Sequence, residues 1–212
     1  MSVPQQRRKS RIKGGKPNLK AVVLKNEGEG FRHYFDTESQ TILNSIGESA
    51  VAAFNGRFRL VENRHWHRGK NAVTIIASNV FKDILKQPGS RLGRHSSDLA
   101  RSIILGECAN IPTDPIDVTL GRFVVSKVSN SGIGHALLAT IEDPKKILHA
   151  EYAQICAALQ TLEGVKSLAI SDLNPHATIG VLPQMAEAQI FRVARSLSKQ
   201  YGGTPLTLQP LQ

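Results

Sequence analysis

From Ile116 to Val128 the chain alternates apolar and polar residues, with Val118, Leu120, Phe123 and Val125 as the apolar members. Such alternation suits an extended strand with one face buried and one face wet. The next residues, Asn130-Ser131-Gly132-Ile133-Gly134, are turn formers, and His135 to Ile141 then returns as a second strand. A long antiparallel hairpin is the strongest constraint on the fold. Further strands are expected at Phe31–Phe35, Arg57–Glu62, the β-branched run Ala72–Ala77, His176–Leu182 and Leu206–Leu211. Ala21–Leu24 is a further short candidate, and Leu168–Leu173 is ambiguous.

Helical patterns are interleaved with these strands. Asp36 or Thr37 caps a helix to about Phe54, with Ile42, Ile46, Ala50 and Ala53 near one face, and Asn55-Gly56 ends it. One or two helical turns are expected at Val80–Lys86, and a helix from Ser96 or Ser97 to Glu107. Pro144, following Asp143, opens a helix to about Leu162. An amphipathic helix spans Gln184–Gln200, with Ile190, Val193, Ala194 and Leu197 inward and Gly202-Gly203 beyond it. Strands alternating with helices around one clear hairpin give an α+β expectation: helices layered on a mixed, mostly antiparallel sheet.

Charge divides the chain. The net charge of +10 is concentrated at the start, where Arg7, Arg8, Lys9, Arg11, Lys13, Lys16, Lys20 and Lys25 precede the first acid, Glu27. This stretch has no periodic apolar residues and is expected as a disordered tail over residues 1–29, followed by a single domain over 30–212. The tail reads equally well as a solubilising segment and as one that touches nucleic acid through phosphate attraction. No run approaches the length of a membrane span, and the start lacks an apolar signal core, so a cytoplasmic protein is the expectation. Cys108 and Cys156 have neither disulfide-framework nor metal spacing and are expected as core or half-buried thiols. No Gly-rich phosphate loop and no nucleophile elbow is present.

Two strands share a local pattern. Asn71-Ala72-Val73-Thr74-Ile75 and Pro175-His176-Ala177-Thr178-Ile179 both read x-[A/H]-x-T-I. On a strand, residues i and i+2 share a face, so His176 and Thr178 project together while Ala177 and Ile179 turn into packing. An imidazole moves protons near neutral pH, and a hydroxyl two residues on can hydrogen-bond a phosphate oxygen. Alone, H-x-T is a pattern any strand can carry.

In its setting the segment resembles the two-histidine (2H) phosphoesterases, which include RNA 2′,3′-cyclic phosphodiesterases. The resemblance rests on Pro175-His176-Ala177-Thr178-Ile179, the helix before it, the helix and strand after it and the long hairpin upstream, over roughly residues 31 to 212. It implies a two-lobed, pseudo-symmetric α+β fold. It also implies two H-x-T motifs flanking one phosphate, with the histidines as acid and base, the hydroxyls holding the phosphate, and no metal or other cofactor. By that resemblance His176, Thr178 and Thr74 are catalytic, and position 72 is that of the partner histidine. The substrate would be a cyclic phosphate, an RNA linkage, or a cyclic or 2′-5′ oligonucleotide.

The chain departs from the family at Ala72. Three explanations compete: an introduced His→Ala change that disables the enzyme, which a bare Ala suits best; a natural member that binds without cutting; or replacement by His65 or His67 from the preceding loop. A non-catalytic RNA- or nucleotide-binding module on the same fold is therefore the rival reading. Within Arg64-His65-Trp66-His67-Arg68, Trp66 is a candidate base-stacking residue, and His67 a candidate substrate contact. Arg32, His33 and Tyr34 lie on a strand that the resemblance places beside the cleft, and Tyr34 is a further substrate-contact candidate, with packing as its alternative role.

Overall fold

The computed structural model describes residues 30–60, 71–127, 135–164, 173–182 and 187–211. The expected tail, the strand at Ala21–Leu24, the hairpin turn at 130–134, most of Leu168–Leu173 and the loop holding Trp66 and His67 lie outside these residues. Strands β1 (Phe31–Tyr34), β2 (Arg59–Leu60), β3 (Ala72–Ile76), β4 (Ile116–Lys127), β5 (His135–Glu142), β6 (His176–Leu182) and β7 (Pro205–Leu208) alternate with helices. The helices are α1 (Thr37–Ala53), α2 (Ser78–Leu85), α3 (Ser97–Gly106), α4 (Ile147–Glu163) and α5 (Glu187–Tyr201).

The strands form one sheet in the order β1-β3-β6-β5-β4-β7, with β2 also paired to β6. Every pairing among these strands is antiparallel. The two ends of that order are tied together. Phe35 bridges Leu208, Asp36 N donates to Thr207 O (3.0 Å), and Gln209 N donates to Tyr34 O (2.7 Å). The buried Ser39 hydroxyl takes up one more edge amide, accepting from Thr207 N (2.8 Å). The fold class is α+β, an antiparallel sheet with helices, as the alternation in the sequence implies.

The sheet has one dry face and one partly wet face, the usual division in antiparallel sheets. Val73, Ile75, Leu137, Ala139, Ile141, Ala177 and Ile179 are buried on the dry face. Leu43, Ile46 and Ala50 of α1, Leu148, Ile155 and Leu159 of α4, and Ile190, Ala194 and Leu197 of α5 join them in one apolar core. The dry face also holds a polar contact. His33 of β1 and Glu151 of α4 are fully buried, with His33 Nε2 against Glu151 Oε2. His33 Nδ1 donates to Gln209 O (2.8 Å). One side chain thus links the edge strand, a covering helix and the segment beyond β7.

Three local expectations are corrected. The apolar face of α1 is turned toward Leu43: Ile46 and Ala50 are buried as expected, but Ile42 is half-buried and Ala53 is exposed. Phe54 supplies the terminal contact instead, fully buried and stacked on Phe58 at 5.7 Å. Pro144 does not open α4. Asp143 to Lys146 close a turn, with Lys146 N bonded to Asp143 O (3.0 Å) and Lys146 at φ 53. The Asp143 carboxylate accepts from Leu148 N (2.7 Å), so the helix begins three residues later than Pro144 suggests. Finally, β2 is only two residues within the described part of the expected Arg57–Glu62 strand.

Gly121 sits where β4 shifts register against β5, and a Cβ there would come within 2.4 Å of Thr140 Oγ1. A side chain there would force Thr140 to give way, so glycine suits the position. Both cysteines are half-buried, as expected. Burial first, and Cys108 nearby second, push the Cys156 thiol up to about 11. Burial, then Glu151 and Glu107, raise Cys108.

Two outcomes follow. His33→Ala strands the Glu151 carboxyl group inside the core, and removing one member of a buried pair costs about 3–5 kcal/mol. Urea denaturation should show that loss, whereas the double change His33→Leu with Glu151→Leu should recover most of it. Near pH 8 Cys156 is almost wholly protonated. Iodoacetamide should therefore label Cys156 slowly in the native protein and rapidly once the chain is unfolded, as read by mass spectrometry of tryptic fragments.

Candidate active site

The site is built by one pairing. β3 lies antiparallel to β6 with Val73 opposite Ala177. Both are fully buried on the dry face. In an antiparallel pair, the residues on either side of such a couple face each other across the other surface. Ala72 therefore comes opposite Thr178, and Thr74 opposite His176. All four are half-buried, on the wet face.

This arrangement has a local twofold axis through the Val73/Ala177 couple, as any antiparallel pair does. Two copies of a z-x-Thr pattern centred on that axis must place the hydroxyls on one diagonal of a square and the z residues on the other. Thr74 and Thr178 occupy the first diagonal, His176 and Ala72 the second. Diagonal neighbours on such a pair lie about 7–8 Å apart. A tetrahedral oxyanion centred over the square is thus within reach of both hydroxyls and of the imidazole.

His176 is oriented from its own strand entry. Its Nδ1 lies 2.8 Å from Asn174 O. A carbonyl only accepts, so Nδ1 carries the hydrogen, and the Nε2 lone pair of the neutral ring is left to take a proton. The segment is anchored by Pro175, which is buried and whose carbonyl accepts from Ile141 N (2.8 Å). Asn174 does not stand out in the sequence, because a carbonyl acceptor carries no residue-type signal.

Neighbouring strands extend the square into two rows. β1 pairs Arg32 with Thr74 and Tyr34 with Ala72. β5 pairs Thr140 with His176 and Leu138 with Thr178. Across the sheet the rows read Arg32, Thr74, His176, Thr140 and Tyr34, Ala72, Thr178, Leu138. Thr140 is a further polar neighbour that sequence reading missed, although its alternation with buried Ala139 and Ile141 marks it as facing outward. Its hydroxyl donates to Arg122 O (3.0 Å).

Four of the expected site residues, His176, Thr178, Thr74 and Ala72, thus come together, and Tyr34 stands next to Ala72 on the same face. Trp66 and His67 lie outside the described residues. His33 is withdrawn from the substrate-facing candidates on its strand: alternation turns it to the opposite face from Arg32 and Tyr34, where it bonds Glu151 and Gln209. Among the described residues, no group of three or more His, Cys, Asp or Glu is placed to hold a metal ion. None of the helices there is long and apolar enough to cross a membrane.

The sequence matches no family model and no curated protein. Among solved structures, the chain is similar to that of Kluyveromyces marxianus Usb1, with a TM-score of 0.46 and 12% identity over 88% of this chain and 93% of that one. It is similar also to Kluyveromyces marxianus Usb1 with uridine monophosphate, with a TM-score of 0.44 and 13% identity over 82% and 85%. A third similar structure is TT0787 of Thermus thermophilus, with a TM-score of 0.44 and 14% identity over 86% and 81%.

Proposed function

We propose that this chain is a phosphodiesterase of the 2H type, acting on an RNA end, a cyclic phosphate or a short oligonucleotide. One observation carries the reading: the β3–β6 register sets Thr74, Thr178, His176 and position 72 as the corners of one twofold square. Two hydroxyls on a diagonal suit the non-bridging oxygens of a phosphate. His176, with Nε2 free to exchange a proton, suits the attacking or leaving oxygen. Tyr34, beside Ala72, would contact the nucleoside, with Trp66 and His67 as further substrate contacts in this reading.

In-line displacement at phosphorus needs a proton removed on one side and supplied on the other. His176 can do one of these. The second imidazole belongs at position 72, on the opposite diagonal corner, and alanine stands there. The chain as written therefore keeps the phosphate seat and one proton carrier. Ala72 also favours the rival reading specifically: the same square without a second imidazole is a binding site for a phosphodiester that is not cut.

Ala72→His separates the two. Against a panel of 2′,3′-cyclic nucleotides, 2′-5′ oligonucleotides and RNA, it should raise kcat by about 10²–10⁴, the usual contribution of a positioned acid or base. Adding His176→Ala should remove that gain. Vigorous turnover by the chain as written that survives His176→Ala would eliminate the reading, and tight nucleotide binding without turnover in either form would favour the binding module. Thr74→Ala and Thr178→Ala each delete a hydrogen bond to a charged oxygen, about 1.5–3 kcal/mol. Each should weaken nucleotide binding roughly 10- to 150-fold in calorimetric titration.

A further inference from the structure

The helix α5 has a second face that the apolar core does not use. Its inner stripe, Ile190, Ala194 and Leu197, is buried against the sheet, and Ser198 Oγ accepts from Phe123 N of β4 (2.8 Å). At 100° per residue, Phe191, Arg192, Arg195 and Lys199 fall together on the opposite side. All four are exposed, and Phe191 is the most exposed large apolar side chain among the described residues, at 57%. Neither arginine nor the lysine has an ion-pair partner among the described residues.

This face carries an electrostatic cost. Arg195 and Lys199 are spaced i,i+4, and Arg192 and Arg195 i,i+3, so each pair repels across one helical turn. The stretch from Phe191 to Lys199 contains no acid to offset them. An anion lying along the helix would.

We propose that the outward face of α5 is a docking surface for the phosphate backbone of single-stranded nucleic acid, with Phe191 stacking on a base. The three cations step along the axis by about 4.5 and 6 Å at 1.5 Å per residue. That interval is on the scale of successive phosphates in an extended strand. Arg195 and Phe191 are i,i+4 neighbours, so a base on the ring brings its own phosphate to a guanidinium. A membrane surface fits less well: the helix's apolar stripe is already in the core, and a single phenylalanine is too little to insert. Because α5 covers the dry face of the sheet, this surface is separate from the square around His176, and the proposal does not rest on catalysis there.

The test uses the full chain and a fluorescein-labelled oligouridylate, with affinity followed by anisotropy across a salt series. The triple variant Arg192→Ala, Arg195→Ala, Lys199→Ala should flatten the slope of log affinity against log salt by about 2, at roughly 0.7 per phosphate on a single strand. Phe191→Ala should weaken binding on the order of tenfold while leaving the slope unchanged. The triple variant should flatten the slope by the same amount on a His176→Ala background, whose own effect on affinity reports the square. All of these side chains are exposed or half-buried, and matching thermal melts confirm that the variants fold. A wild-type slope in the triple variant overturns the proposal. So does loss of binding to phosphatidylserine vesicles with oligouridylate binding retained.

Discussion

The register of β3 against β6 is the constraint on which the proposed site depends. With Val73 opposite Ala177, Val73, Ile75, Ala177 and Ile179 enter the core, while Thr74, His176 and Thr178 face away from it beside Ala72. A slip of one residue in either strand would turn His176 and Thr178, or Thr74, into the dry face without partners and expose the corresponding core residues. That penalty in burial holds the register more firmly than any bond within the site. The geometry of the proposed site and core packing are therefore two consequences of the same pairing, and the precision of the square is inherited from the hydrophobic face beneath it.

What lies under the square is correspondingly well tied. β1 is an edge strand, and edge strands tend to fray or pair with other chains. Here its end is bonded to the β7 segment, and His33 reaches through to Glu151 and the Gln209 carbonyl. With His33 Nδ1–H given to a carbonyl, Nε2 is left to face Glu151, and this polar link ties α4 to β1. It is also the reason that Arg32 and Tyr34, flanking His33 in sequence, are held facing the other way, beside Thr74 and Ala72.

Most strands and helices are legible in the sequence because one face of each is dry, and period 2 or 3.6 records that directly. Strand β6 and the helix α3 follow their patterns to within a residue or two. The misreadings are where local chemistry overrides the pattern. Pro144 is well suited to a first helical turn, but the Asp143 carboxylate caps the amide of Leu148 instead, and Lys146 takes a left-handed conformation to allow it. The candidate site is half legible. His176 and Thr178 share a face by alternation alone, and the kinship of Ala72-Val73-Thr74 is visible as a repeated pattern. That the two strands are neighbours, aligned about their middle residues, is a long-range fact that no local spacing encodes. His33 shows the converse: as a residue type it suggests chemistry, and only the three-dimensional packing shows it committed to the core.

A square with one corner changed is informative about the order in which such a site can lose function. In the proposed reading, hydroxyls at Thr74 and Thr178 would act on the ground state and the transition state alike, since both carry charge on the non-bridging oxygens. An imidazole at position 72 would act only while a proton is moving. With alanine there, the second kind of interaction would be missing and the first kept, so affinity would outlast turnover. Alanine is also small enough to leave the diagonal corner open rather than blocked, and it keeps the strand's alternation and its buried neighbour Val73 undisturbed. The proposed seat for a phosphodiester would persist because the core, not the chemistry, maintains it. In that reading, placing an imidazole at that one corner is a smaller step than building a site anew, because the partner hydroxyl, the opposing histidine and the orienting Asn174 carbonyl are already in place.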